Sequence, residues 1–266
     1  MTNTNIPRSP IRTQSVLGVP VSAINLQSAV TTIADWIDGD QREYICVTDA
    51  HCVVQAYRHP QIAQVYRNAG MVTPDGMPLV WMCKWAGHRQ TARVYGPDLV
   101  RAVMSDPNLR YKRHFFYGGA EGVANRLADL LGKEYPGLVV AGTHCPPFRP
   151  YTDAEAADII TSINATSPDI IWVGLGAPKQ ELWMAKYRGA LNAPVIAGVG
   201  AAFDFISGAK PQAPRWMQAS GLEWLFRMAS EPCRLAPRYL KTIPQFAFLA
   251  ILQIMGLRRF PLRVRP

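Results

Sequence analysis

Apolar positions recur along this chain in two rhythms. Short apolar runs, bounded by glycine, proline or aspartate, alternate with longer segments whose apolar residues fall three and four apart. The first rhythm belongs to strands and the second to amphipathic helices. Val16–Ile24 predicts a strand or small hairpin, Leu26–Ile37 a helix and Tyr44–Thr48 a strand. Ala50–Arg67 predicts helix broken at Pro60, and Met71–Thr73 a short strand running into Pro74-Asp75-Gly76. Pro78–Trp85 and Pro97–Met104 read as helices. Strands at His114–Tyr117, Leu138–Gly142, Ile170–Val173 and Val195–Val199 then alternate with helices at Ala120–Tyr135, Asp153–Asn164 and Pro178–Arg188.

Ile170-Ile171-Trp172-Val173 is apolar at every position, as expected of a strand covered on both faces. The alternation predicts an α/β fold: a mostly parallel, Rossmann-like sheet with helices on both faces. In such a sheet the ligand site lies beyond the carboxyl ends of the strands. After Gly208 the rhythm changes to a stretch rich in Arg, Trp and Pro, whose prolines at 211, 214, 232, 237, 244 and 261 are expected to punctuate short helices. The expected division is an α/β core over 1–208 and a basic, apolar helical appendage over 209–266.

Composition narrows the class. The chain has 266 residues, 48% hydrophobic and 18% charged, enough for one large domain with an appendage. No run reaches 18 uninterrupted apolar residues, which argues against a spanning helix, and the first residues carry no apolar signal region. Five cysteines, an odd number without a CxxC pair, fit a reducing cytoplasmic compartment better than a disulfide framework. His51-Cys52 and His144-Cys145 lack metal-site spacing and read as incidental.

Charge is informative once located. Residues 1–206 hold 18 Lys/Arg against 17 Asp/Glu, whereas residues 207–266 hold 10 against only Glu223 and Glu231. A basic segment implies an acidic partner: phospholipid, polyphosphate or nucleic acid. Within it, Ile243–Leu257 is polar only at Gln245 and Gln253, and Arg258, Arg259, Arg263 and Arg265 follow. Fifteen helical residues span about 22 Å, short of the roughly 30 Å hydrocarbon core. Such a helix suits an anionic membrane surface; packing on the core or in a homo-oligomer interface is the competing reading.

Three strand ends run into glycine: Tyr117-Gly118-Gly119, Gly174-Leu175-Gly176-Ala177-Pro178-Lys179-Gln180, and Gly198-Val199-Gly200 ahead of Asp204. Glycine lets backbone N–H groups approach an anion, and a helix N-terminus adds positive potential, so together they suggest a nucleotide diphosphate site. Each alone equally fits a tight strand–helix turn. Pro74-Asp75-Gly76 is ordinary turn chemistry, or a general base aimed over the sheet edge; Thr48-Asp49 carries the same ambiguity. Asp38-Gly39-Asp40 has the form of a cation-binding DxD, but following a helix and preceding a strand it falls on the opposite edge and reads as a solvated turn. A nucleotide-dependent oxidoreductase lacks its GxGxxG and ribose acid here, and a nucleic-acid-binding role sits badly with the long apolar stretch.

Four stretches carry a resemblance: TPDGMPLVW with Arg93 downstream, IIWVGLGAPKQELWM, VGAAFDFISGAKPQAPRWMQ, and GLEWLFRMASEPCRLAPRYL. In order and spacing they resemble the WecG/TagA/CpsF family of bacterial glycosyltransferases, from about Val16 to Leu240. The resemblance implies transfer of a sugar, N-acetylmannosamine-type or hexose, from a UDP-sugar to a polyprenyl-diphosphate-linked sugar, with inversion, in cell-surface polysaccharide synthesis. It implies no cofactor and no obligatory metal, since the UDP-sugar is a substrate, and no nucleic-acid partner. Asp75 takes the base position and Thr48 lines the same pocket; Arg93, Gln180 and Asp204 match donor-site positions, beside the loop residues Gly118, Gly119, Gly174, Gly176 and Lys179. Arg227 and Arg234 match tail arginines that meet the lipid-linked diphosphate, with Arg215 and Arg238 as neighbours in that segment. Ala50 stands where Asn is common, and Pro237 where a basic residue is common. The implied location is cytoplasmic, on the inner face of the plasma membrane.

Overall fold

The computed structural model describes residues 11–147, 149 and 151–262. Arg263 and Arg265 of the terminal basic cluster, and the first ten residues, lie outside the described residues. The chain opens with a hairpin, β1 (Thr13–Val16) and β2 (Val19–Ser22), and continues through α1 (Leu26–Asp38), β3 (Glu43–Thr48), α2 (Ala50–Arg58), α3 (Pro60–Asn68), β4 (Met71–Pro74) and α4 (Met77–Trp85). Next come α5 (Gly96–Ser105), α6 (Pro107–Arg110), β5 (Arg113–Gly118), α7 (Val123–Glu134), β6 (Val139–His144), α8 (Asp153–Ala165), β7 (Ile170–Gly174), α9 (Lys179–Tyr187) and β8 (Val195–Gly198). α10 (Ala202–Ile206) follows, and the tail holds α11 (Arg215–Ala219), α12 (Glu223–Ser230) and α13 (Pro232–Ile254).

Six strands form one parallel sheet in the order β4-β3-β8-β7-β5-β6. The uniformly apolar segments occupy its middle: β7 from Ile170 to Val173 and all of β8 are buried. Two apolar clusters lie on its two faces, one built around Ile33, Leu99, Leu127 and Trp172, the other around Val53, Tyr66, Ile171 and Met184. A sheet covered on both sides is thus the observed α/β architecture. Register decides what meets at the carboxyl edge. Thr48 lies beside Pro74, so Asp49 and Asp75 emerge next to one another, and Gly118 lies beside Gly174.

The tail differs from the expected string of short helices. Pro237 and Pro244 lie inside α13, a continuous helix of 23 residues. Each proline removes one backbone hydrogen bond. Packing on both sides of each proline compensates, because Leu235, Tyr239, Thr242, Phe246 and Leu249 form one buried face four and three residues apart. Phe246, Leu249 and Ala250 join the same apolar cluster as α2 and α3. Polar contacts fasten the helix along its length: His51 Nδ1 lies 3.1 Å from the Thr242 hydroxyl, and Gln253 bonds both the Leu17 N–H (2.9 Å) and the Ser15 carbonyl (2.6 Å) of the hairpin. Among the described residues no helix is long and apolar enough to cross a membrane.

Candidate active site

The site is assembled where β3 and β4 end. Asp49 caps α2, accepting the Cys52 N–H at 2.9 Å, and Asp75 stands in the turn before α4. The Asp75 N–H donates to the Thr48 carbonyl at 2.9 Å, which pins that turn to the neighbouring strand. Arg93 follows in a loop held by the Val94 N–H on the Pro74 carbonyl, at 3.0 Å. Its Nε donates to the Asp75 backbone carbonyl; its Nη2 lies 3.2 Å from the Asp75 carboxylate and 2.6 Å from that of Glu223. The guanidinium also sits 4.1 Å from the centre of the Tyr95 ring.

Asp49, Asp75, Arg93 and Glu223 line a cavity of about 670 Å³ that also receives Arg227 and Tyr239. Trp81 and Trp85 line it one and two turns further along α4, and Phe246, Ala250 and Ile254 continue the wall along α13. One cavity therefore combines a charged corner at Asp75 with a long apolar wall.

The electrostatics are uneven. Burial pushes the Asp75 carboxyl up to about 7; Arg93 and Arg227 oppose this, while the carboxylates of Glu223 and Asp49 add to it. Burial would raise Asp49 too, but Arg238, His51 and the Cys52 N–H outweigh it and leave Asp49 below the usual range. Two neighbouring acids are thus driven apart, one held ionised and the other poised near neutrality, a pattern characteristic of acid–base sites. His51 is lowered to about 4 by burial and by Arg238, so it stays uncharged at neutral pH.

The other expected residues are distributed as follows. Thr48 lies beneath the cavity: it is buried, and its hydroxyl donates to the Cys46 carbonyl at 2.9 Å, so its hold on Asp75 runs through its own carbonyl. At Gly118, φ is +122°, and a Cβ would lie 2.7 Å from the Gly174 backbone. Gly119 donates its N–H to the Gly174 carbonyl at 2.9 Å, so these glycines serve first to let two strand ends touch. Gly176 turns the chain into α9 at φ +75°, with open space around it. Lys179 is exposed, whereas Gln180 is buried against Gly198 and Gly200, its Oε1 without a hydrogen-bond partner among the described residues. Asp204 pairs with Lys210 at 3.3 Å.

Of the tail arginines among the described residues, only Arg227 lines the cavity. Arg238 holds Asp49 at 3.5 Å, Arg234 pairs with Glu231 at 2.7 Å, and Arg215 reaches Asp98 at 3.1 Å on the surface. Asp38 is paired with Lys112 at 3.1 Å at the end of α1, on the amino edge of the sheet. Among the described residues no three His, Cys, Asp or Glu side chains converge to hold a metal ion. Glu223 and Tyr239 were not expected at the site. The available signal was compositional: Glu223 is one of two acids in a strongly basic segment, and an acid kept there needs a cation to meet.

Comparison with known proteins gives the family. The model of the glycosyl transferase WecG/TagA/CpsF family matches residues 14–260. An N-acetylglucosaminyldiphosphoundecaprenol N-acetyl-beta-D-mannosaminyltransferase of Bacillus spizizenii is 29% identical over 214 residues, 79% of this chain and 79% of the relative. Proteins of the same name from Bacillus subtilis and Staphylococcus aureus are 26% and 24% identical, covering 91% of this chain and 92% and 93% of their own lengths. With a family match over nearly the whole chain, on a parallel α/β sheet that carries a cavity at its carboxyl edge, this protein belongs to the WecG/TagA/CpsF family of glycosyl transferases.

Proposed function

We propose that this protein moves a sugar, N-acetylmannosamine or a related hexose, from a UDP-sugar to a polyprenyl-diphosphate-linked sugar at the cytoplasmic membrane surface, with inversion. The observation that carries the proposal is the cavity, because it unites the Asp75 carboxyl with Arg93, Arg227 and an apolar wall. A polyprenyl diphosphate presents these chemistries side by side, a doubly anionic headgroup on a hydrocarbon chain.

The reaction then reads as follows. The acceptor hydroxyl attacks the anomeric carbon on the face opposite the leaving group, so one C–O bond forms as the C–O bond to UDP breaks. The hydroxyl proton passes to Asp75, whose raised proton affinity suits it to act near pH 7. Charge grows on the departing diphosphate and requires preorganised cations. Arg93 is fixed through Nε and Nη2 and lines the cavity, so it is a cation held in place where the departing diphosphate needs one.

The membrane enters through α13. Leu240, Phe248, Ile251 and Met255 form an exposed row on the face opposite the buried one, between 53% and 70% accessible, and the exposed Arg258 and Arg259 follow. An apolar row ending in cations suits the interface of an anionic bilayer.

A donor screen tests the proposal. Purified protein is incubated with a panel of UDP-sugars and a short-chain lipid-diphosphate N-acetylglucosamine, with and without EDTA, and products are detected by mass. One strongly preferred donor, a disaccharide-lipid product and indifference to EDTA are expected. No product from any UDP-sugar would overturn the reading, and loss on EDTA restored by Mg²⁺ or Mn²⁺ would overturn its metal-free form.

A further inference from the structure

Arg93 Nε is anchored on the Asp75 backbone carbonyl, but its Nη2 is nearer to a tail carboxylate than to the carboxylate of Asp75. Its Nη2 lies 2.6 Å from Glu223 Oε2 and 3.2 Å from Asp75 Oδ1, and the three side chains are largely buried, 12% to 23% accessible. Glu223 opens α12, and its position follows from the turn before it. Gly221 adopts φ +76°, and a Cβ there would lie 3.1 Å from Trp81 and 3.2 Å from Met77. The α11–α12 turn is therefore pressed onto the first two turns of α4, the helix that Asp75-Gly76 introduces, and Glu223 arrives above the same guanidinium that Asp75 holds.

An arginine paired with Asp75 alone would favour its ionised form and weaken it as a base. Sharing the guanidinium with a second carboxylate relieves that effect. The other charged or titratable groups facing Asp75 are Asp49 and His51 from the start of α2, Arg227 from α12, Tyr95 ahead of α5, and Tyr239 and Arg238 from α13. Asp49 also pushes Asp75 up, but it pairs with Arg238 at 3.5 Å and makes no contact with Arg93 among the described residues. Glu223 is the carboxylate that touches the direct partner of Asp75.

We propose that Glu223 is a positioning residue of the transfer reaction, drawing the Arg93 guanidinium toward α12 so that the Asp75 carboxylate stays basic enough to take the acceptor proton. The proposal rests on Asp75 as the base. It gives the tail a role in the chemistry beyond placing the protein at the bilayer, since the base is set correctly only while α12 is docked.

Glu223→Gln separates charge from shape, because the amide oxygen can still accept from Arg93. Protein labelled with ¹³C at the aspartate carboxyl carbon gives the Asp75 titration directly, the resonance being assigned by its loss in Asp75→Asn. In Glu223→Gln the Asp75 midpoint should fall by about one pH unit or more. The acid limb of kcat/KM should move with it, while transfer at pH 8 drops several-fold. Glu223→Asp, which keeps the charge, should titrate like wild type. If Glu223→Gln does not fold, Glu223→Ser takes its place in the same titration. An unmoved midpoint in a folded, uncharged variant overturns the proposal even if its rate falls, because a merely structural residue would give that result. If Asp75→Asn itself transfers within tenfold of wild type, the base reading fails and this proposal falls with it. If Asp75→Asn is inactive and the Glu223→Gln midpoint stays put, only the role of Glu223 is overturned.

Discussion

Glu181 stands one residue from the donor-site candidate Gln180, fully buried in the apolar cluster beneath β3. Its Oε1 accepts from the Gln180 amide at 3.0 Å, and its Oε2 has no hydrogen-bond partner among the described residues. Burial lifts its pKa to about 7, as it does for Asp75. For both acids the folded pKa exceeds the unfolded value of about 4. Between roughly pH 4 and pH 7 the folded chain therefore holds protons that the unfolded chain has released, and stability falls as pH rises through that window. Glu181→Gln removes one such group while keeping an acceptor for Gln180. Its melting temperature should match wild type near pH 4.5 and exceed it by about a few °C at pH 8. A difference that stays constant with pH would show that Glu181 does not titrate in the fold. The same physics explains which site residues the sequence disclosed. Asp75 drew notice as a carboxylate in a Pro-Asp-Gly turn at a strand end, a local pattern that a plain turn fits as well, and the family resemblance singled it out. Glu223 drew none, because its meaning depends on a cation 130 positions away.

At the scale of elements, the strand–helix alternation survived nearly unchanged because its signal is local: apolar runs for buried strands, periodic faces for the helices that cover them. The β5 and β7 ends show a subtler case. Gly118 and Gly174 could have been anion-binding or merely close-packed, and only the register that places them side by side decides that they first serve contact between strands. α13 was misjudged for a physical reason. Proline argues for interruption on average, but a helix with two apolar faces, one against α2 and one exposed, has enough packing to run through Pro237 and Pro244. The two faces should answer mutation differently. Leu240→Glu, Phe248→Glu and Met255→Glu together lie on the exposed row and outside the cavity lining, so the melting temperature should change little while sedimentation with anionic liposomes is lost. Truncation from Ile243 removes Phe246 and Leu249 from the core and should lower the melting temperature as well. Undiminished sedimentation of the folded triple variant would remove α13 as the membrane-facing element.

At the scale of the whole molecule, the tail completes the site. The cavity has one wall from the sheet edge and α4 and the other from α12 and α13, and the buried ion pair between Arg93 and Glu223 joins them. The excess of positive charge that marked residues 207–266 is likewise divided by the fold: Arg227 faces the cavity, Arg238 steadies Asp49, and Arg258 and Arg259 follow the exposed apolar row. Recognition of a lipid-linked diphosphate and attachment to its membrane would then come from one segment, with the base supplied by the core. The most direct test is a paired measurement on Asp75→Asn: sugar transfer to a lipid-diphosphate acceptor at pH 8, and UDP affinity by calorimetry. Loss of a general base typically costs about 10²- to 10⁴-fold in rate. Transfer should fall by that order with UDP affinity nearly unchanged; transfer within tenfold of wild type would contradict the account.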